Sequence, residues 1–257
     1  MRLIVLGCSG SGPGPGSPAS GYLVEAGDAR FTLDLGNGTF GALQRHLDPW
    51  ALDAVAFSHL HADHCSDFAS LVVHRRYHPR PPYDATASKL AVHAPGEAPD
   101  RFAAAYAPSA AERAGTDLTD VFTFHALTPG STASIGDARL SATPVDHPCE
   151  TYALRVEHEG RTLVYSGDTG PCDGLVTAAR DADVLLCEAS WPHSDDAPAG
   201  VHLSGRQAGE HAAAAGVGRL LLTHVPAWCD PQELLAEAKA VFDGPIDLVH
   251  PDEAFDI

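Results

Sequence analysis

Six consecutive residues carry four candidate metal ligands: His59-Leu60-His61-Ala62-Asp63-His64. Imidazole and carboxylate together suit zinc and its first-row neighbours. Alternate residues of an extended segment point to one side, so His59 and His61 can share one ion. A turn at Ala62 would aim Asp63 and His64 elsewhere, toward a second. Three further candidates each follow a strand-like segment: His147 after Leu140 to Val145, Asp168 after Leu163 to Gly167, and His224 after Leu220 to Thr223. Residues at the C-terminal ends of several strands converge on one rim of a sheet, where open α/β folds gather their sites. Together the seven supply donors for two ions, and Asp168 can bridge because a carboxylate has two oxygens.

The elements that would position them are legible in outline. Leu3 to Leu6, Tyr22 to Glu25 and Phe31 to Leu35 read as strands, the last two joined by a Gly27-Asp28 turn and the last carrying Thr32 and Asp34 at its polar alternate positions. Residues 51 to 58 form a further strand candidate directly before His59. Ala153 to Val156 and Thr162 to Ser166 flank a Glu159-Gly160 turn, and Val184 to Cys187 and Leu220 to Thr223 suit buried strands. Ser204-Gly205-Arg206-Gln207 is a capping box opening an alanine-rich helix that should stop at Gly216. Asp230-Pro231 opens another, with Gly244 just beyond its expected end. Residues 75 to 135 are rich in Ala and Pro with weak periodicity and read as an insertion or lid-like excursion. The stretch Gly7 to Pro18 is glycine and proline punctuated; it is no phosphate-cradling P-loop, and reads either as a plain surface turn or as a loop shaping a site.

Composition narrows the function classes. With 44% hydrophobic and 19% charged residues over 257 positions, one globular domain spanning 1–257 is expected and a disordered chain is excluded. The formal charge of -18 repels a long polyanion, so extensive nucleic-acid binding is not expected. No stretch approaches a membrane span and no signal peptide is evident, so the expected compartment is cytoplasmic. Six scattered cysteines without a Cys-x-x-Cys pair read as reduced thiols, with Cys65 and Cys149 as packing residues.

The motif set, in order His59-x-His61-x-Asp63-His64, His147, Asp168 within Ser166-Gly167-Asp168-Thr169-Gly170, and His224, resembles that of the metallo-beta-lactamase superfamily. Glu188 in Cys187-Glu188-Ala189-Ser190 and His202 in His202-Leu203-Ser204 are similar to the extra Glu and His of its ribonuclease Z and cyclic-nucleotide phosphodiesterase branch. The wording of Gly7 to Ser11, Arg75-Arg76-Tyr77-His78-Pro79 and Cys187 to Trp191 is similar to actinobacterial atypical cyclic-AMP phosphodiesterases. What the resemblance implies is a four-layer αββα sandwich of the α/β (α+β) class. It also implies a dinuclear centre with His59, His61 and His147 on one ion, Asp63, His64 and His224 on the other, and Asp168 between them. The cofactors implied are two divalent ions, zinc first and manganese second. The Lys-Arg-Asn loop pattern of ribonuclease Z is missing after Cys8, and no long basic arm is present.

Glu188, at the end of a buried strand, demands a partner, and a hydrogen bond to His202 would supply one. It would also raise the basicity of the imidazole and orient it to donate a proton. Arg75, Arg76 and Arg80 form the densest basic cluster, read as surface solvation or as a guanidinium reaching a phosphate. His74, His78, His93, His125, His158, His193, His211 and His250 lack ligand-like spacing and are expected to be exposed.

The expected function is therefore a metal-dependent phosphodiesterase acting on a small-molecule phosphodiester, foremost a 3′,5′-cyclic nucleotide, with Asp63, His202 and Glu188 as its catalytic group and a homodimer as the candidate assembly. The rivals are a ribonuclease Z-type tRNA 3′-processing endoribonuclease, a thioester, lactone or beta-lactam hydrolase of the same fold, and a non-enzymatic metal-binding or sensing module.

Overall fold

Alternation along the first strand already requires two apolar layers: Leu3 and Val5 face one, Ile4 and Leu6 the other. The computed structural model describes residues 1–257 and resolves this into two seven-stranded sheets. The first runs in the order Ala254–Asp256, Arg2–Gly7, Gly21–Ala26, Ala29–Leu33, Ala54–Ala56, Leu90–Ala94 and Phe122–Ala126. The second runs Ile246–Leu248, Arg219–Thr223, Val184–Glu188, Arg161–Tyr165, Tyr152–His158, Ala138–Pro144 and Thr132–Ile135. Each sheet joins an antiparallel half to a parallel half.

Three apolar layers fix the stacking. Leu3, Val5, Tyr22 and Val24 meet Leu154, Val156, Leu163 and Leu186 between the sheets. Val55 and Phe57 meet Phe68, Leu71 and Phe102 of the helices Phe68–Tyr77 and Ala98–Tyr106 outside the first sheet. Val164, Leu185 and Leu222 meet Leu175, Ala212 and Leu234 of the helices Asp173–Ala179, Gly205–Ala215 and Pro231–Lys239 outside the second. The layer order is αββα. Because both faces of each sheet are covered, central strands read as nearly continuous apolar runs. No helix is long and apolar enough to cross a membrane.

Local signals hold at several places. The Gly27-Asp28 turn joins paired strands, and Glu159-Gly160 closes a hairpin with positive φ at both residues (50° and 76°), as a type I′ turn requires. The Ser204–Gln207 capping box is complete, and Gly216 ends that helix in the left-handed region at φ 69°.

Other expectations are corrected. Residues 75 to 135 are no excursion: Leu90–Ala94 and Phe122–Ala126 are strands of the first sheet. The strand before His59 is short, Ala54–Ala56, preceded by a 3-10 turn over Pro49–Ala51 that Asp48 caps. The last helix stops at Lys239, short of Gly244. His93 and His158 are buried, and His74, His193 and His211 half-buried, where exposure is expected from sequence. Arg75 is not a surface group: it is buried under aromatic rings.

Candidate metal centre

The short strand Ala54–Ala56 delivers Ser58 and His59 fully buried to the space between the sheets. The chain stays extended through His61 (φ -65°, ψ 152°) and then turns into the helix Ala62–Cys65, which carries Asp63 and His64. His59 and His61 thus share one side, while the helical turn swings the next pair away. From the second sheet, His147 follows Ala138–Pro144, Asp168 follows Arg161–Tyr165, and His224 follows Arg219–Thr223. Both sheets present these residues at one common rim.

The seven residues form two groups. Ligand atoms of His59, His61, His147 and Asp168 all lie within 4.8 Å of one another, as do those of Asp63, His64, Asp168 and His224. In the first, His61 Nδ1 is 3.1 Å from both His59 Nε2 and His147 Nε2. In the second, His64 Nε2 is 3.1 Å from His224 Nε2, and Asp63 Oδ2 is 3.2 Å from His224 Nε2. Asp168 belongs to both: Oδ2 is 3.7 Å from His59 Nε2, while Oδ1 is 3.1 Å from His64 Nε2. Asp168 Oδ1 is buried without a hydrogen-bond partner. Facing imidazole nitrogens around an unpartnered carboxylate oxygen fit divalent cations, which would take the converging lone pairs.

The other edges of the rings are tied down. Ser58 Oγ sits 3.0 Å from His59 Nδ1, the Val201 carbonyl 2.8 Å from His147 Nδ1, Asp34 Oδ2 2.7 Å from His64 Nδ1, and Ser190 Oγ 2.9 Å from His224 Nδ1. Partners of this kind orient an imidazole and choose which nitrogen is free to bind. Asp34 and His224 both have positive φ, 59° and 56°, conformations uncommon outside glycine that persist where surrounding contacts over-determine them. The glycine-rich loop contributes shape: it forms a two-residue strand, Ser9–Gly10, beside Val225–Pro226. A Cβ on Gly10 would stand 2.3 Å from the His224 carbonyl oxygen, so only glycine lets the loop pack there.

Electrostatics follow from burial and crowding. Burial alone would raise the Asp168 carboxyl, but the imidazoles of His224, His64 and His59 outweigh it and hold it well below the usual carboxylate range. Burial, with His64 adding to it, pushes His59 well down. His64 goes the other way, because Asp168 and Asp34 outweigh its burial.

Beside these groups, His202 Nδ1 is 2.9 Å from Glu188 Oε1. That oxygen also accepts from Thr169 N at 2.8 Å, and Glu188 Oε2 accepts from Ser190 Oγ at 2.7 Å. Glu188 and His202 form a third close group with His224, but the carboxylate oxygens are already engaged by these donors. Burial lowers His202, yet its hydrogen bond to Glu188 and that charge raise it overall. Trp191 stands edge-on to its ring at 5.1 Å.

Asp34, Ser58 and Ser190 are the site residues that sequence reading passes over. Asp34 looks like the solvent face of an alternating strand, yet it is fully buried. The signal that could have found it is its position directly after the strand Ala29–Leu33, the same placement that singles out Asp168 and His224. Cys149 Sγ lies 3.8 Å from His61 Nε2, and Cys65 is buried in the helix-side core.

Comparison with known proteins agrees with this architecture. Residues 29–225 match the Beta-lactamase superfamily domain. An uncharacterised protein of Mycobacterium leprae is 49% identical over 100% of this chain and 89% of its own length. Ribonuclease Z of Myxococcus xanthus is 30% identical over 96% of this chain and 95% of its own. The crystal structure of the metallo-beta-lactamase fold protein YhfI from Bacillus subtilis superposes with a TM-score of 0.84 at 26% identity, covering 99% of this chain and 98% of that one. With the fold, the matched domain and these relatives in agreement, the chain belongs to the metallo-beta-lactamase superfamily and is a metal-dependent hydrolase.

Proposed function

We propose that the chain is a dinuclear phosphodiesterase for small phosphodiesters, with a 3′,5′-cyclic nucleotide such as cyclic AMP as substrate. The observation that carries this reading is the division of Asp168, whose two oxygens face two different His/Asp groups while the His202–Glu188 pair stands beside them. His59, His61 and His147 would hold one divalent ion and Asp63, His64 and His224 the other, zinc being the first candidate and manganese the second. When bound, two such ions acidify water and neutralise phosphoryl charge, the main demand of phosphoryl transfer.

The chain's own residues supply the rest. Asp63, with Oδ2 turned to His224, leaves Oδ1 to orient the attacking water and take its proton as the new oxygen–phosphorus bond forms. His202, held through Nδ1 by Glu188, presents Nε2 to the departing ribose oxygen and gives it a proton as the ester bond breaks. His61 is exposed and His147 half-buried, so the rim opens to solvent on the side of the first group.

A tRNA-processing reading is favoured by the relative named ribonuclease Z. Against it stand the net charge of -18, a chain with two lysines, and a glycine-proline loop without the basic pattern of that branch. A hydrolysis panel on metal-loaded protein, with cyclic AMP, cyclic GMP, bis(p-nitrophenyl) phosphate, a tRNA precursor and a thioester, decides between them. Higher kcat/KM for a cyclic nucleotide is expected; specific cleavage of the tRNA precursor with equal or higher efficiency reverses the ranking.

A further inference from the structure

His202 meets Glu188 because the chain returns to the place it left. From the strand end at Glu188 it runs outward through Trp191, forms an arc over residues 194 to 200, and comes back at Val201 and His202. Both returning residues serve the site: the Val201 carbonyl lies 2.8 Å from His147 Nδ1, and His202 Nδ1 lies 2.9 Å from Glu188 Oε1. The arc itself is exposed at Ser194, Asp195, Asp196, Pro198 and Ala199. Its hydrogen bonds are internal, Asp196 N to Ser194 Oγ and Ala197 N to Ser194 O, each at 3.2 Å. The placement of His202 therefore depends on how the two arms are held at the neck.

Near the strand, Ser190 N donates to the Leu203 carbonyl at 2.9 Å, Trp191 and Ser204 form an isolated bridge, and His193 Nδ1 stands 3.0 Å from Ser204 Oγ. Farther out, one side chain from a different helix holds both arms. Glu237, on Pro231–Lys239, accepts from His193 N on the outgoing arm at 2.7 Å and, with its other oxygen, from Arg206 N on the returning arm at 3.2 Å. Helix capping accounts for the second bond, since Arg206 N belongs to the first turn of Gly205–Ala215, where orphan amides and the helix dipole favour a carboxylate. It does not account for the first, because His193 lies outside that helix. A carboxylate accepting from two amides makes charge-assisted bonds, stronger than neutral ones.

We infer that Glu237 is a positioning residue for the reaction: by clamping both arms of this loop it keeps His202 against Glu188 and aimed at the leaving group. The inference rests on the reading of His202 as proton donor. The partners of Glu237 are His193 and Arg206, neither of them a metal ligand, so it acts on the reaction through the loop. A misplacement of about 1 Å in a reacting group can cost about 100-fold in rate. Removing one of several neck contacts should cost less, about tenfold.

The test is a double-mutant cycle on metal-loaded protein: wild type, Glu237→Ala, His202→Ala and the double variant, with kcat and KM on cyclic AMP and on bis(p-nitrophenyl) phosphate, bound metal and Tm measured for each. Glu237→Ala is expected to keep its full metal content and a KM within about twofold, while kcat falls about tenfold. Glu237→Gln should recover part of that loss, since its single amide oxygen serves one arm; it keeps the side-chain volume and takes the place of the alanine variant in the cycle if that variant is unstable. In the His202→Ala background the Glu237 substitution should cost nothing further, a non-additivity that a role in folding alone does not produce. Equal losses in both backgrounds, loss of metal from Glu237→Ala, or wild-type turnover by Glu237→Ala beside an impaired His202→Ala overturns the inference and leaves the reading of His202 standing. Wild-type turnover of both esters by His202→Ala refutes that reading, and the inference with it.

Discussion

Asp34 Oδ2 lies 2.7 Å from His64 Nδ1 and takes two further hydrogen bonds, from Tyr165 Oη and Ser58 Oγ, each at 2.8 Å. Its other oxygen accepts from Ser58 N at 2.7 Å. One fully buried carboxylate thereby connects the strand that carries His59, the imidazole of His64 and the second sheet. By accepting the hydrogen bond of Nδ1–H it leaves the lone pair of His64 Nε2 for the second group. Asp34→Ala is expected to lower metal affinity or kcat by about 10- to 100-fold, measured by chelator competition and steady-state kinetics. Unchanged values for both would show that His64 is oriented by its packing alone.

Asp168 is shared by the two groups, so Asp168→Ala should remove activity and at least one bound ion per chain, as elemental analysis of the purified variant would register. Retention of two ions by the variant would mean that Asp168 does not bridge.

His202 touches Glu188 but stands outside the two groups that share Asp168. His202→Ala should keep the full metal content while kcat on cyclic AMP falls by about 100-fold or more, the scale of losing a general acid. Glu188→Gln should lose less, and p-nitrophenyl esters, whose leaving group needs no proton, should suffer less than cyclic AMP. Equal losses on both substrates would assign His202 to binding a phosphoryl oxygen, and loss of metal would make it a ligand.

A pH dependence of stability follows from His93. Burial, and then the neighbouring His125 stacked at 4.9 Å, push its imidazole down to about 4. Below pH 6.5 the unfolded chain takes up a proton that the folded chain refuses, so stability present above 6.5 is lost as pH falls toward 4. His93→Phe should flatten that part of the curve: its Tm should fall less than that of wild type between pH 6.5 and 4 in metal-free protein. Parallel curves would show that other groups carry the acid sensitivity.

What the sequence made legible was governed by how each residue declares itself. His and Asp directly after apolar runs are recognisable because few other roles put those types there, and the seven positions come together at one rim. Asp34 is not singled out because a polar residue at an alternate position of a strand has no distinguishing mark in sequence, and only the covering of both faces of the sheet makes it a buried carboxylate. Leu90–Ala94 and Phe122–Ala126 were hidden by alanine, and by an edge strand exposed along much of its length. Arg75 is charged, and only the three-dimensional meeting of Trp50, Tyr83 and Phe122 makes its burial tolerable.

The most direct test of the two-ion account is to strip the protein of metal, add zinc or manganese back in measured equivalents, and follow cyclic AMP hydrolysis against bound metal. The account predicts that turnover rises to a plateau at two ions per chain and that Asp168→Ala never reaches it. A plateau at one ion, or no hydrolysis of cyclic AMP with two ions bound, would contradict it.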